Sequence, residues 1–289
     1  MSVYSNFNRT SAKKFRENLQ ADCSSCFGLC CTALNISVSS DFAINKPAGT
    51  PCSNLGTDFR CNIHSDLRES GFKGCTVFDC LGAGQTVSQV TFEGKSWREY
   101  PETSEKMFSV FPIMEQLYEM MAYVSEALSY EISPELHKEL LVQLQQLEGL
   151  TKLNADGLAA LTIMEYRIPV NELLLKTSLY IRNKLIAKIG NTKNKRKLDY
   201  RGTDWMGKKL KGRDLRATDL RGSYLIAADL QMSDLRGVDF IGADLRDANL
   251  NGADLSTSMF LTQMQINSAR GNKETKLPSH IKQPSHWSA

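Results

Sequence analysis

From Trp205 to Phe260 every fifth residue is large and apolar: Trp205, Leu210, Leu215, Leu220, Leu225, Leu230, Leu235, Phe240, Leu245, Leu250, Leu255 and Phe260. Apolar residues make up 42% of the chain, so twelve such positions in register would arise by chance with a probability of about 3 × 10⁻⁵, and the period is a property of the fold. An amphipathic helix would space them by three and four, and a half-buried strand would alternate them. A sustained period of five fits neither. It requires a chain that turns a corner once per repeat.

The neighbours of each apolar residue say how the corner is made. The preceding residue is Asp or Asn in nine of the twelve repeats, side chains that bond nearby backbone and favour turns. Two positions before the apolar residue stand small side chains such as Thr218, Ser223, Ala228, Ser233, Ala243, Ala248, Ala253 and Ser258. Each repeat therefore points two residues inward and three outward. Lys208 and Arg213 break the rule at the start of the series, and neither is expected to be buried unpaired.

Ala228-Asp229-Leu230, Ala243-Asp244-Leu245, Ala248-Asn249-Leu250 and Ala253-Asp254-Leu255 resemble the Ala-Asp/Asn-Leu-x-x motif of the pentapeptide repeat family. The resemblance implies a right-handed quadrilateral β-helix with one repeat per side, here about three coils and about 15 Å tall at strand spacing. The best-known members of that family imitate duplex DNA with a long acidic face and bind topoisomerase. Here residues 199–260 carry ten acidic and nine basic side chains, and Arg216, Arg221, Arg236 and Arg246 occupy outward corners where a mimic needs carboxylates. Residues twenty apart would stack, lining up Arg221, Ile241 and Leu261 with Tyr224 and Ile226 alongside. Such a wall is a contact surface unless the helical middle folds back over it.

All eight cysteines of the 289-residue chain lie between Cys23 and Cys80. The N-terminal Met1 to Gln20 lacks the apolar core of a signal peptide, no run of eighteen apolar residues occurs, and the formal charge is only +3, so the expected location is cytoplasmic, with no membrane span. In a reducing compartment a cysteine cluster points to metal or thiol chemistry before a disulfide framework. Cys23, Cys26, Cys30, Cys31, Cys52, Cys61, Cys75 and Cys80 are the candidate metal ligands. The Cys23-x2-Cys26 and Cys75-x4-Cys80 pairs at the two ends form the expected principal set for zinc or an iron–sulfur cluster. Buried inert thiols and redox-active thiols are the alternatives. His64, three residues after Cys61, has ligand spacing, and equally suits a hydrogen-bonded structural role. The order of cysteines is similar to bacterial domains described as zinc- or iron-chelating, with one extra residue between Cys26 and Cys30. Gly82-Ala-Gly84-Gln85 lacks the full phosphate-binding pattern and is expected to be a tight turn, followed by a strand over Thr86 to Phe92.

From Glu105 the period becomes helical. Met107, Val110, Met114, Leu117, Met121, Val124 and Leu128 draw one stripe, expected to be core, with docking of a partner or a second copy as the alternative. Pro112 is expected to start or kink this helix. Ser133-Pro134 opens a second, Asn154 a third that breaks at Pro169, and Asn171 a fourth that ends at Gly190. Seven basic and no acidic residues lie between Arg182 and Lys197; with no interleaved aromatic, a solvated linker is expected, and nucleic-acid binding is not. After the repeat, Thr262 should cap a lid helix ending near Gly271.

The expected organisation is a multidomain chain: a cysteine-rich metal-binding head over 1–100, a helical domain over 103–190, a basic linker over 191–198, the β-helix over 199–260, and a capping helix and tail over 261–289. No Ser/His/Asp set, P-loop or HExxH is present. The arrangement resembles uncharacterised bacterial pentapeptide repeat proteins, some labelled as antibiotic resistance factors. That implies a binding or scaffold protein, with a metal- or thiol-dependent enzyme as the alternative.

Overall fold

The computed structural model describes residues 7–189 and 197–288. Its helices are α1 (Arg9–Asn18), α2 (Leu29–Ala33), α3 (Lys73–Val77), α4 (Ala83–Thr86), α5 (Ser104–Ser129), α6 (Pro134–Leu150), α7 (Ala155–Ala159), α8 (Ile163–Ile189) and α9 (Gln263–Ser268). The chain divides into two compact units, one of Met1–Ser129 with Ser133–Leu174, the other of Tyr130–Ile132 with Leu175–Ala289.

The first unit is organised around α5, which packs against α1, α2, α4, α6 and α7. The Met107-to-Leu128 stripe is buried as core, so it is not offered to a partner. Phe111, Met120 and Ala127 are buried as well, because neighbours surround the helix on several sides. Pro112 lies inside α5 and Pro169 inside α8, and neither helix ends there. A proline removes one helical hydrogen bond, a loss that the packing of α5 against its neighbours offsets. The expected break at Pro169 is replaced by a single helix that begins at Ile163 and runs through it. Ser133 caps α6 through Leu136 N, and Asn154 caps the short α7 through Gly157 N. Among the described residues no helix is long and apolar enough to cross a membrane.

The second unit explains the period of five. As far as Leu250, the residue two after the large apolar one has positive φ, from Gly202, Gly207 and Gly212 through Ala217, Gly222, Ala227, Met232, Gly237, Gly242 and Asp247 to Gly252. An N–H to C=O bond closes each corner, as from Lys208 to Trp205 (3.1 Å) and from Arg213 to Leu210 (3.1 Å). Positive φ at the third of four residues only, with this bond, is a type II turn. The Asp or Asn before the apolar residue fixes the turn by accepting the N–H two residues on, as Asp204 does from Met206 (3.0 Å), Asp229 from Gln231 (3.2 Å) and Asn249 from Asn251 (3.2 Å).

Turning every fifth residue leaves one residue per side free to bridge. Parallel bridges join Asp199 to Asp219 to Asp239 to Met259, and Asp204 to Tyr224 to Asp244; two further columns run through Asp229 and Asp234. Of the expected β-helix the described residues thus show a stack of four-sided coils knit by single bridges, with no extended strand or sheet among them. Leu220, Leu225, Leu230, Leu235 and Phe240 are fully buried along the axis with Ala228, Val238 and Ala248 between them. The buried hydroxyls of Thr218, Ser223 and Ser258 donate to backbone carbonyls three residues back. Lys208 and Arg213 are exposed, with the Lys208 ammonium 5.4 Å from the Trp205 ring centre.

The C-terminal part of α8 belongs to this unit and covers one wall. Arg182 pairs with Asp219 (3.0 Å), while Lys184 pairs with Glu131 (2.9 Å). These basic residues are helical and partnered; of the expected basic linker over 191–198, residues 191–196 lie outside the described residues. At the other end α9 is closed by a Thr262/Gln265 capping box and stops at Ser268, short of Gly271. Gly271 instead seats Trp287, since a Cβ there would lie 2.4 Å from the indole ring. The tail extends the stack through bridges from Asn249 to Arg270 and Asp254 to Lys276.

Candidate metal centre

The expected strand over Thr86 to Phe92 is helical: α4 runs directly into a π-helical turn, Val87–Thr91. This segment forms the floor on which the first cysteines lie. The Gln85 amide donates to Gln20 O (2.9 Å) and accepts from Asp22 N (3.0 Å); Ser88 Oγ accepts from Phe27 N (3.0 Å), and Gln89 donates to Ser25 O (2.8 Å). The Gly82-Ala-Gly84-Gln85 turn therefore cradles a cysteine loop. Gly84 is required by close approach, since a Cβ there would lie 2.8 Å from Cys26 Sγ and 3.7 Å from Cys80 Sγ.

The loop is fastened to the rest of the first unit by aromatic contacts. Phe27, Phe59, Trp97 and Phe108 form a chain with ring centres 5.3, 5.5 and 5.6 Å apart, and Trp97 Nε1 donates to Phe27 O (2.8 Å). Arg98 lies 4.6 Å from the Phe59 ring centre and donates to Gly56 O (2.8 Å).

Cys75 and Cys80, expected to act as a pair, part company. Cys75 is on α3, and the chain then extends at Phe78 and enters positive-φ turns at Leu81 and Gly82 that carry Cys80 to Cys26. Cys75 packs instead with Cys31, Cys52 and Cys61 around Leu67 and Phe72. All eight thiols are free; Cys23 is exposed, Cys52 buried and the rest half-buried. The Cys30 and Cys31 sulfurs lie 4.0 Å apart. His64 is exposed at the start of a 3₁₀ turn.

Several backbone N–H groups point at sulfur: those of Leu29 and Gly28 at Cys26, Gly84 and Gly82 at Cys80, and Ile63 at Cys61. Such donors favour the thiolate. Burial opposes them and holds Cys26, Cys61 and Cys80 above the ordinary thiol value, and pushes Cys75 up to about 12. Cys31 goes the other way, lowered first by the Cys30 thiol it accepts from and then by the Lys46 cation, while Cys30 is raised by donating to it.

Nothing in the sequence singled out Lys46. It is 3% exposed, and its ammonium donates to the carbonyls of Thr32 (3.0 Å), Leu34, Pro47 (3.1 Å) and Thr50 (2.9 Å). Its neighbours in charge are Cys52, Cys31 and Cys30. A buried cation surrounded by carbonyl dipoles favours negative charge nearby, and thiolates are the groups placed to supply it.

The donor chemistry thus fits a soft metal: eight sulfurs, N–H groups aimed at them and one buried counter-charge. The geometry is not closed. As the side chains stand, no three His, Cys, Asp or Glu among the described residues are arranged to hold an ion. A bound metal would draw on the thiolates as ligands and would supply cross-linking energy to the head.

The family described as pentapeptide repeats matches residues 209–240 and 218–256, in eight copies. The uncharacterized protein YybG of Bacillus subtilis (strain 168) is 57% identical over 270 residues, covering 93% of this chain and 95% of its own. Among solved structures, Rfr23 of the cyanobacterium Cyanothece 51142 is 28% identical over 27% of this chain and 53% of its own, with a TM-score of 0.23. HetL of Nostoc sp. strain PCC 7120, a pentapeptide repeat protein involved in heterocyst differentiation regulation, is 26% identical over 28% of this chain and 38% of its own, with a TM-score of 0.16. The chain spans about half the length of the first of these structures.

Proposed function

The chain belongs to the pentapeptide repeat family, and from that premise we propose that it is a non-enzymatic cytoplasmic binding or scaffold protein. Its head, within residues 1–100, is held together by metal, zinc or an iron–sulfur cluster, on the eight cysteines. Its right-handed β-helix, over 199–260 with the cap at 261–289, meets a protein partner. The helices of 103–190 join them. The single observation that carries the head is the gathering of eight free thiols in one small segment, three of them, Cys52, Cys31 and Cys30, beside the buried Lys46. The wall reading is supported by Met206, Tyr224 and Met232, apolar residues 55%, 52% and 66% exposed. Antibiotic resistance or self-protection is the setting the family resemblance suggests for that contact.

A topoisomerase-directed DNA mimic is disfavoured by charge. Asp214, Asp219, Asp234 and Asp244 each pair with the arginine two residues on, at 2.8, 3.1, 2.6 and 2.6 Å, so their carboxylates are neutralised where a mimic would expose them. A thiol-dependent enzyme is the second reading, favoured by the lowered Cys31 thiol beside Lys46.

Limited proteolysis of the full chain with and without chelator tests the head. If metal supplies folding energy, on the order of 10 kcal/mol for structural zinc, chelation exposes sites in the head before about residue 92 and spares the repeat. Unchanged digestion rejects the metal-stabilised reading.

A further inference from the structure

The packing gathers four of the eight cysteines in one cluster and pairs two of the others, an arrangement that their order in sequence does not give. Cys31, Cys52, Cys61 and Cys75 share one apolar cluster with Leu67 and Phe72, from which the other four are absent. Cys26 and Cys80 meet over Gly84, in a space that a single methyl group would fill. Cys31, Cys26 and Cys80 all act on Cys30 by charge, and Cys26 and Cys31 on Cys23; these two thiols, absent from the apolar cluster and next to Cys26 in the chain, complete the set with Cys26 and Cys80. The chain thus contributes three cysteines of one loop and a remote fourth to the first set, and four dispersed cysteines to the second.

We propose that the head holds two adjacent four-thiolate metal centres, one of Cys23, Cys26, Cys30 and Cys80 and one of Cys31, Cys52, Cys61 and Cys75. Four sulfurs complete a tetrahedral site for a soft metal, so eight serve two such sites with none left over. Lys46 belongs to the second centre, because Cys52 and Cys31 act on its ammonium more strongly than Cys30 of the first does, and it offsets part of the negative charge of a tetrathiolate. The two centres touch at Cys30 and Cys31, whose sulfurs are 4.0 Å apart. Closing each set requires side-chain rotation, which seven thiols that are not fully buried permit.

This inference rests on the metal-stabilised reading, and Co²⁺ titration of the metal-free full chain separates the two. Charge-transfer absorption from thiolate to cobalt should rise until two equivalents are bound. Cys23→Ser, at an exposed position, and Cys61→Ser, in the other set, should each bind one equivalent, and the double variant none, with circular dichroism confirming that the helices persist. One equivalent in the parent chain overturns the pair of centres and leaves the metal-stabilised head standing. Loss of both equivalents from each single variant also overturns it, in favour of one joint cluster. No binding at all overturns the metal reading itself and this inference with it.

Discussion

Gly222 and Gly237 occupy the same turn position of the repeat on different sides of the stack, with φ of 62° and 67°, but their surroundings differ. A Cβ on Gly222 meets nothing within 4 Å, whereas one on Gly237 would lie 2.4 Å from Cδ2 of Leu185, on α8. Both alanine variants pay the left-handed strain, roughly 1 kcal/mol. Ala217 and Ala227 already bear it at φ of 57° and 54°, so it does not prevent folding. Gly237→Ala adds overpacking of about 1–3 kcal/mol, toward the lower end because the contact is the tip of a half-buried leucine that can turn. The expectation is a loss of about 1 kcal/mol for Gly222→Ala and about 2–3 for Gly237→Ala. Hydrogen exchange at repeat amides in the full chain reads the opening free energy without requiring both units to unfold together. Adding Leu185→Ala should relieve Gly237→Ala but not Gly222→Ala, giving a coupling on the order of 1 kcal/mol. Equal losses for the two glycines, or no coupling, would refute the packing of α8 on this wall.

Further outcomes follow from the same geometry. Leu235 is fully buried, so Leu235→Asp should cost more than the roughly 2–5 kcal/mol of a core Leu→Ala, while Gln231→Asp, on the outer wall, should be nearly silent; equal thermal shifts would reject the register. Asp239 is fully buried beside Arg221 (3.3 Å) and Asp219, and burial raises its carboxyl to about 6 despite the Ser178 and Ile241 hydrogen bonds. The folded state therefore holds a proton that the unfolded state has released, so the stabilisation from this group is complete below pH ~4 and fades as pH rises through ~6, by at most about 3 kcal/mol. Urea unfolding of Asp239→Asn across that window should show a flatter profile than the parent, and parallel profiles would contradict the assignment. Gly84→Ala should drive Cys26 away from Cys80, slowing disulfide trapping of that pair under mild oxidation, as peptide mass spectrometry would read; an unchanged rate would mean that the two sulfurs do not meet there.

The repeat was legible because turn chemistry alone dictates its period. An Asx side chain, a buried leucine and a left-handed residue recur at fixed offsets, and each acts within a few residues of itself. The α5 stripe was legible for a similar local reason, although Phe111 and Met120 were not, since only tertiary packing surrounds that helix. Pro112 misled because its cost is local and the packing of α5 that offsets it is not. In the head the candidate ligands were visible as a residue type, but their partition was not. Cys80 reaches Cys26 through a helical floor that the Val/Phe pattern of Thr86 to Phe92 disguised as a strand, and through a glycine whose role is the absence of a side chain. Lys46 left no signal, because its partners are backbone carbonyls. The cover that α8 places on one coil wall depends on Arg182, Ser178 and Leu185 meeting residues some forty to sixty positions away.

Metal and acid-labile sulfide analysis of the anaerobically purified full chain, with its absorption spectrum, tests the central claim most directly. The account predicts bound metal held by thiolates: stoichiometric zinc without visible absorption, or iron and sulfide with visible charge-transfer bands. A metal-free chain whose eight cysteines all titrate as reactive thiols would contradict it.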